Sequence, residues 1–498
     1  MNLKRFFKYT FLLGGLVISV AACKDYLDIN KDPNAVVDAP IEQIFTSATV
    51  SLGFFAGSDL NRYSLLLAQQ WSGTLPNQTG EYERYNISGT DVNNAWLSVY
   101  STILSDLELV IQKSANDKSP NYAGAAKILK AYTFQLLVDA WGKIPYSEAL
   151  KFTDNTSPKF DDGATIYPAL IALLDEAILD VNNTASVKSP AANSTIFTGT
   201  WASQKPKWER LANTLKMRMY LHYSKVDKAK AVAEITKLTS ANVMTSNTDN
   251  FQMPFFTTSG QQNPTHQFEI QRGNYLFANA TMMDMMNTKA DPRRAKYFTT
   301  FPLYSGQYKG SPSANLASNI KFSRIFTYLR GDTTNTAPLV PASDGSITST
   351  QYTFKGDAPV RMLTFAEYNF IRAEAAILGV AGISADSFYR SGIRASMSMA
   401  GISSAATEAY IGVNGALTGT DDQKIKKIIE EKFVANYGVI MEPWTDYRRT
   451  GYPVITIPSN AFFPATPRSL FYPQSELDRN TNAPTQKIDP SERVFWDK

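Results

Sequence analysis

Residues 91–146 read DVNNAWLSVYSTILSDLELVIQKSANDKSPNYAGAAKILKAYTFQLLVDAWGKIPY, and their spacing decides the fold class. Trp96, Val99, Tyr100, Ile103, Leu107, Val110 and Ile111 recur at intervals of three and four, the period of one apolar helix face. Asp91 is a candidate N-cap for this helix. A polar turn runs to Pro120. A second stripe then places Ile128, Tyr132, Leu136 and Ala140 together, with Leu129, Leu137 and Trp141 beside them. Gly142 and Pro145 stop it, since proline has no N–H to continue the ladder. Two helices and a short loop make an αα-hairpin.

Outward from this segment the unit recurs. Ile166, Leu170, Leu173, Leu174, Ala177, Ile178 and Val181 line a third helix. Trp208, Leu211, Ala212, Leu215 and Met219 line a fourth, entered through Pro206. Thr364 and Glu367 have capping-box spacing before Tyr368, Ile371, Ala375 and Leu378, and Gly379 closes that helix. Ser384 starts the next, with Phe388, Ile393 and Met397 inward. Thr420 and Gln423 repeat the box before Ile425, Ile428, Ile429 and Phe433. Helix pairs of this size resemble tetratricopeptide units, which stack because one pair cannot bury its own face. The expected fold is mainly α, with tetratricopeptide-like helix pairs as a scaffold. Residues 243–363 differ: they are rich in Thr, Ser, Asn, Gly, Pro and aromatics, with one helical stripe near 278–288. A long irregular span inside a compact chain is usually functional loop. A loop-rich ligand-binding region packed against the scaffold is therefore expected, joined by a second such segment over residues 70–90.

The chain opens with Lys4, Arg5 and Lys8, an apolar run from Phe11 to Val20, and Ala21-Ala22-Cys23. These are the zones of a secretory signal, too short for a membrane span. Val20-Ala21-Ala22-Cys23 resembles the bacterial lipobox, and Cys23 is the only cysteine. The expected layout is a signal peptide at 1–22, a lipid-anchored (palmitate-bearing) tether at 23–40 attached through Cys23, and one helical domain at 41–498 carrying the insertion at 243–363. The tether is rich in Asp, Asn and Pro, as Asx turns require. Its alternating oxygens lack the glycine and closing glutamate of an EF-hand, so no metal is assigned to it.

Several function classes find no support. Removing Lys4, Arg5 and Lys8 with the leader takes the formal charge from +4 to +1, and without basic runs nothing suggests a nucleic-acid partner. After the leader, no stretch approaches the ~20 apolar residues of a membrane span. The histidines are His222 and His266, and no HExxH, G-x-S-x-G, Walker or dinucleotide-binding pattern surrounds them. His222, at a helix end, reads as a surface or core residue. No motif asks for a cofactor. A glycosidase would need two carboxylates facing across a cleft, a spacing in three dimensions that sequence does not encode.

Seven segments, in order, resemble the SusD/RagB family of outer-membrane nutrient-binding lipoproteins, in its SusD-like branch. They are Tyr26–Asn34, Trp96–Ile111, Ala140–Tyr146, Trp208–Arg218, Glu367–Ala375, Glu431–Phe433 with Trp444–Gly451, and Tyr472–Leu477. Lys143 departs from the pattern, standing where an acidic residue is common. The matching residues read as architectural: Arg372 and Glu374 as ion pairs or caps, Trp444 to Arg449 as a lock on the C-terminal wrap. The resemblance implies a non-enzymatic lipoprotein of the cell outer membrane, facing the exterior. It would capture oligosaccharide and deliver it to a partner TonB-dependent transporter of the SusC/RagA type. A peptide-capturing lid of the same architecture is the alternative, and a surface glycoside hydrolase a third reading.

Sugar sites combine flat aromatic faces with amide, carboxylate and guanidinium groups that bond hydroxyls. The loops offer Trp71, Asn77, Gln78, Tyr82, Arg84 and Tyr85 in the first segment, and Asn274, Tyr275 and Tyr304 in the second. Trp71 heads the set, because no helical stripe claims it. Trp96, Trp141 and Trp208 lie on apolar stripes and are assigned to the core.

Overall fold

A computed structural model describes residues 39–347 and 351–498. The expected signal peptide, Cys23 and nearly all of the expected tether lie outside the described residues.

Among the described residues the architecture is helical, with four two-stranded ribbons. Helix α1 (Ile41–Ala56) buries Phe45, Ala48 and Leu52, and α2 (Asp59–Leu67) follows after Gly57 and Ser58. Helix α3 (Gln78–Glu83) is short. Helix α4 covers 93–116, with a wider π-type turn at Val99–Leu104. Asp91 does not cap it: its carboxylate accepts from the Ser88 N–H at 2.8 Å and the Tyr82 hydroxyl at 3.1 Å, and the helix begins two residues later. Helix α5 (Pro120–Trp141) ends at Gly142, whose φ of 84° favours glycine. Helix α6 (Gly163–Val181) packs on α5, and a Cβ at Gly124 would lie 2.7 Å from the Val181 backbone. Helix α7 (Trp201–His222) begins five residues before Pro206, which falls inside its early turns.

After the insertion the pairing resumes with α8 (Phe365–Leu378) and α9 (Ala385–Met399), then α10 (Ser404–Asn414), α11 (Asp421–Ala435) and α12 (Glu442–Thr450). Thr420 and Gln423 form the full capping box, with bonds of 3.3 and 2.8 Å. Thr364 caps α8 through the Glu367 N–H at 3.1 Å, but the Glu367 carboxylate turns away. It meets Arg218 in a two-point fork at 2.7 and 2.8 Å, 149 residues distant. A buried partner outweighs the local return bond because an unpaired guanidinium in the core costs several kcal/mol, ~3–5 by analogy with broken buried pairs.

Charged side chains of the helices thus meet inside the core. Arg449 forks onto Glu374 (Nη2 to Oε2, 2.8 Å) and reaches Asp446 at 2.9 Å. Lys432 lies 2.8 Å from Glu442. Burial pushes the Glu442 carboxyl up, but Lys432 and Arg218 outweigh it and hold it well below the usual range. His222 is enclosed between the Tyr167 hydroxyl (3.1 Å) and Glu442 (3.2 Å). Arg448 donates to the carbonyls of Asp139 and Arg468 at 2.6 and 2.7 Å, tying the C-terminal segment to α5. Trp96, Trp141 and Trp208 are buried. No helix among the described residues is long and apolar enough to cross a membrane.

Candidate ligand-binding site

The first loop leaves α2 through Gln69, at φ 58°, and enters strand β1 (Trp71–Ser72). This strand pairs antiparallel with β6 (Phe277–Ala278), Trp71 opposite Ala278. Strand β2 (Thr74–Leu75) pairs parallel with β7 (Asn315–Leu316). The remaining ribbons join β3 (Lys143–Pro145) to β4 (Phe160–Asp162) and β5 (Phe251–Met253) to β8 (Val360–Leu363). Two short pairings therefore staple the first loop onto the insertion. A Cβ on Gly73 would stand 2.2 Å from the Thr79 backbone, so only glycine lets β1 and β2 run so close to α3.

Glu83 knots these pieces. One oxygen accepts from the backbone N–H of Gly73 (2.9 Å) and Ala314 (2.6 Å) and from the Ser72 hydroxyl (3.1 Å). The other accepts from the Asn279 amide at 2.8 Å. Burial pushes this carboxyl up to about 8, against the lowering pull of those donors. A raised carboxyl pKa suits a general acid. Glu83 is enclosed with both oxygens occupied, which is the arrangement of a structural tie.

The two loops meet along a seam. The Thr74 hydroxyl donates to the Asn274 carbonyl at 2.9 Å, and the Thr79 hydroxyl to the Tyr275 carbonyl at 2.7 Å. Asn274 is held at φ 65°, and its side-chain oxygen accepts from buried Arg324. Around the seam, Gln78, Gln271 and Arg272 are exposed, and Asn77 and Tyr275 half-buried. The Tyr275 ring meets Phe268 edge-on at 6.1 Å.

Of the residues expected from sequence, the structure brings Asn77, Gln78, Asn274 and Tyr275 to this seam. Four aromatics fall elsewhere, three of them buried. Trp71 is fully buried, its strand pinned by β6, so its ring packs the loop onto the body and offers no face to a ligand. Tyr82 is buried edge-on to Tyr63 at 4.8 Å, and Tyr85 is buried with its hydroxyl 3.4 Å from Thr466. The apolar gain of burying a whole aromatic ring explains all three. Arg84 pairs with Glu81 at 2.9 Å and reaches the Asn460 carbonyl at 3.3 Å. Tyr304 is 62% exposed on a separate loop, its hydroxyl accepting from the Leu339 N–H.

Sequence reasoning missed Arg62 and Phe268. The Arg62 guanidinium lies 4.2 Å over the Phe268 ring, with Arg272 5.4 Å from the same ring. Burial lowers the Arg62 pKa and Arg272 adds to that, while Asp59 opposes both. Nothing local marks Arg62 for a ligand: it is one of several polar residues on α2, with Asp59, Asn61 and Ser64, and its local partner is Asp59. An open groove of about 740 Å3 lies against the Glu83 knot, lined by Gln69, Thr281, Asp284, Thr288 and Ser313 among others. Phe268 is itself buried, so the half-buried Tyr275 ring is the one that can cover C–H surface, while the guanidinium groups, amides and hydroxyls around it can bond adjacent hydroxyl groups. No group of three His, Cys, Asp or Glu is placed to hold a metal among the described residues.

Helical repeats carrying a loop-built polar and aromatic surface define a binding scaffold. The chain belongs to the SusD-like family described as starch-binding, associating with the outer membrane, whose model matches residues 33–473. Solved structures agree in fold. A chitin-binding SusD homolog from Flavobacterium johnsoniae is 22% identical, with a TM-score of 0.73 over 92% of this chain and 98% of that one. A SusD homolog from Bacteroides fragilis is 21% identical, with a TM-score of 0.73 over 93% and 100%. A SusD-like protein from Bacteroides thetaiotaomicron is 23% identical, with a TM-score of 0.71 over 89% and 93%. Comparison with curated protein sequences finds no match.

Proposed function

We propose that this chain is a non-catalytic cell-surface lipoprotein, anchored through Cys23, that captures oligosaccharide at the seam between its two loops and delivers it to a TonB-dependent outer-membrane transporter of the SusC/RagA type. The observation that carries the reading is the gathering of Arg62, Arg272 and Tyr275 around Phe268, next to the seam where the Thr74–Asn274 and Thr79–Tyr275 bonds fix both loops. Family membership supports it, as does the chitin-binding description of the Flavobacterium homolog. The carboxylates of the first loop support binding over hydrolysis. Glu81 is held by Arg84 and Asn86, Glu83 by its four donors, and Asp91 by Tyr82 and Ser88, so none stands free as an acid or nucleophile.

Pull-down of the lipidated protein from outer membranes tests the delivery step. Recovery of a large TonB-dependent barrel is expected, and recovery of the lipoprotein alone counts against a transporter partner. Calorimetric titration with starch, chitin and peptide fragments tests the ligand. Binding of peptides and of no oligosaccharide would replace the glycan reading with the peptide one.

A further inference from the structure

On the far side of α1's C-terminal half, a cleft of about 440 Å3 opens between the helix, the 192–198 loop and the segment after β5. Its size falls within the range of small-molecule pockets, ~300–1,000 Å3. Val50, Phe54, Met253, Phe255 and Phe256 supply apolar lining, and Ser194, Thr195 and Thr198 line it with hydroxyl side chains, Ser194 being buried. No acidic, basic or histidine side chain lines it. That sets it apart from the loop seam, where two guanidinium groups gather.

The walls are fixed before any ligand arrives. The Thr46 hydroxyl donates to the Asn193 carbonyl at 2.9 Å, and the Thr195 and Thr49 hydroxyls bond at 2.8 Å, fastening the 193–195 stretch to α1. Opposite, β5 is paired to β8, and the Phe256 N–H closes a turn onto the Gln261 carbonyl at 2.9 Å. Phe54 and Phe255 meet edge to face, centroids 5.0 Å apart at 89°. The Phe256 ring stands at the cleft, 56% exposed.

Ser194 is the telling residue. It is 2% exposed, and its hydroxyl has no hydrogen-bond partner, while the neighbouring Thr49 and Thr195 hydroxyls satisfy each other. A buried hydroxyl without a partner costs stability, and a polar atom on a bound molecule would remove that cost. Aromatic rings set edge to face accept a further ring in the same geometry.

We infer that this cleft is a second binding site, which takes an uncharged aryl group carrying one hydrogen-bonding atom for Ser194. It is distinct from the loop seam and does not depend on what the seam binds. Ligand-observed NMR and calorimetry with benzyl alcohol, phenylacetamide and toluene test it on the mature protein. Thr198 and Phe256 are exposed at the cleft, so Thr198→Trp and Phe256→Ala leave the fold intact. Saturable binding of both polar aryl probes is expected, weakened about fivefold by Phe256→Ala and blocked by Thr198→Trp. Ser194→Ala is expected to weaken phenylacetamide but not toluene. Absence of aryl binding, or binding unchanged by Thr198→Trp, overturns the inference. Oligosaccharide titration of the same variants reads the loop seam separately. If the wild type binds no oligosaccharide, the function proposed above fails while the cleft result stands.

Discussion

The Glu83 carboxylate accepts the backbone N–H of Ala314 at 2.6 Å, across 231 residues of chain. This bond, with those to Gly73 and Asn279, sets the distance between the two loops. It also carries a pH signature. Burial pushes the folded carboxyl from 4.5 up to about 8. Between those values the folded chain keeps a proton that the unfolded chain has released. The stability linked to Glu83 is therefore full below about pH 4.5 and is lost as pH rises through about 8, with a limiting slope of about 1.4 kcal/mol per unit. Urea melts from pH 5 to 9 should show this decline, and Glu83→Gln should flatten it.

Arg272 is exposed and its guanidinium faces Phe268. Arg272→Ala should weaken oligosaccharide binding about tenfold, the equivalent of ~1.4 kcal/mol. Stability should stay within about 0.5 kcal/mol of wild type, as for surface changes generally. Parallel calorimetry and thermal melts separate the two effects.

Trp71 and Tyr275 make opposite predictions. Trp71→Ala leaves a cavity in the core beside β6 and should cost about 3–5 kcal/mol of folding stability. Tyr275→Ala removes a half-buried ring at the seam and should cut affinity while melting close to wild type. Chemical denaturation of both variants, followed by titration at a temperature where each is folded, checks the contrast.

Glu374 is the buried partner of Arg449, 75 residues away. Glu374→Ala removes the two-point partner of a buried guanidinium and leaves it Asp446 alone, and should cost up to about 3–5 kcal/mol. Glu374→Gln keeps the shape and one acceptor, so denaturant midpoints should rank wild type, then glutamine, then alanine.

These contrasts follow the line between what local sequence encodes and what it does not. The stripes at Ile128–Ala140 and Ile166–Val181 are written in the helical period, and Gly142, Gly379 and the Thr420–Gln423 box mark ends through bonds within one turn. The scaffold was therefore readable. The candidate site depends on contacts such as Thr74 to Asn274, 200 residues apart, that no local pattern announces. Trp71 sits among Ser, Gly and Thr like a loop aromatic, yet its two-residue pairing with Ala278 carries it into the core. Glu367 shows the same limit, because its spacing fits a capping box while Arg218 claims its carboxylate.

The central claim is that the seam around Phe268 captures oligosaccharide. Calorimetric titration of starch- and chitin-derived oligosaccharides into wild type and the Arg272→Ala/Tyr275→Ala double variant tests it most directly. Saturable binding of at least one series by wild type, abolished in a double variant that melts normally, is the predicted result. Binding that survives the double substitution, or a wild type that binds neither series, would contradict it.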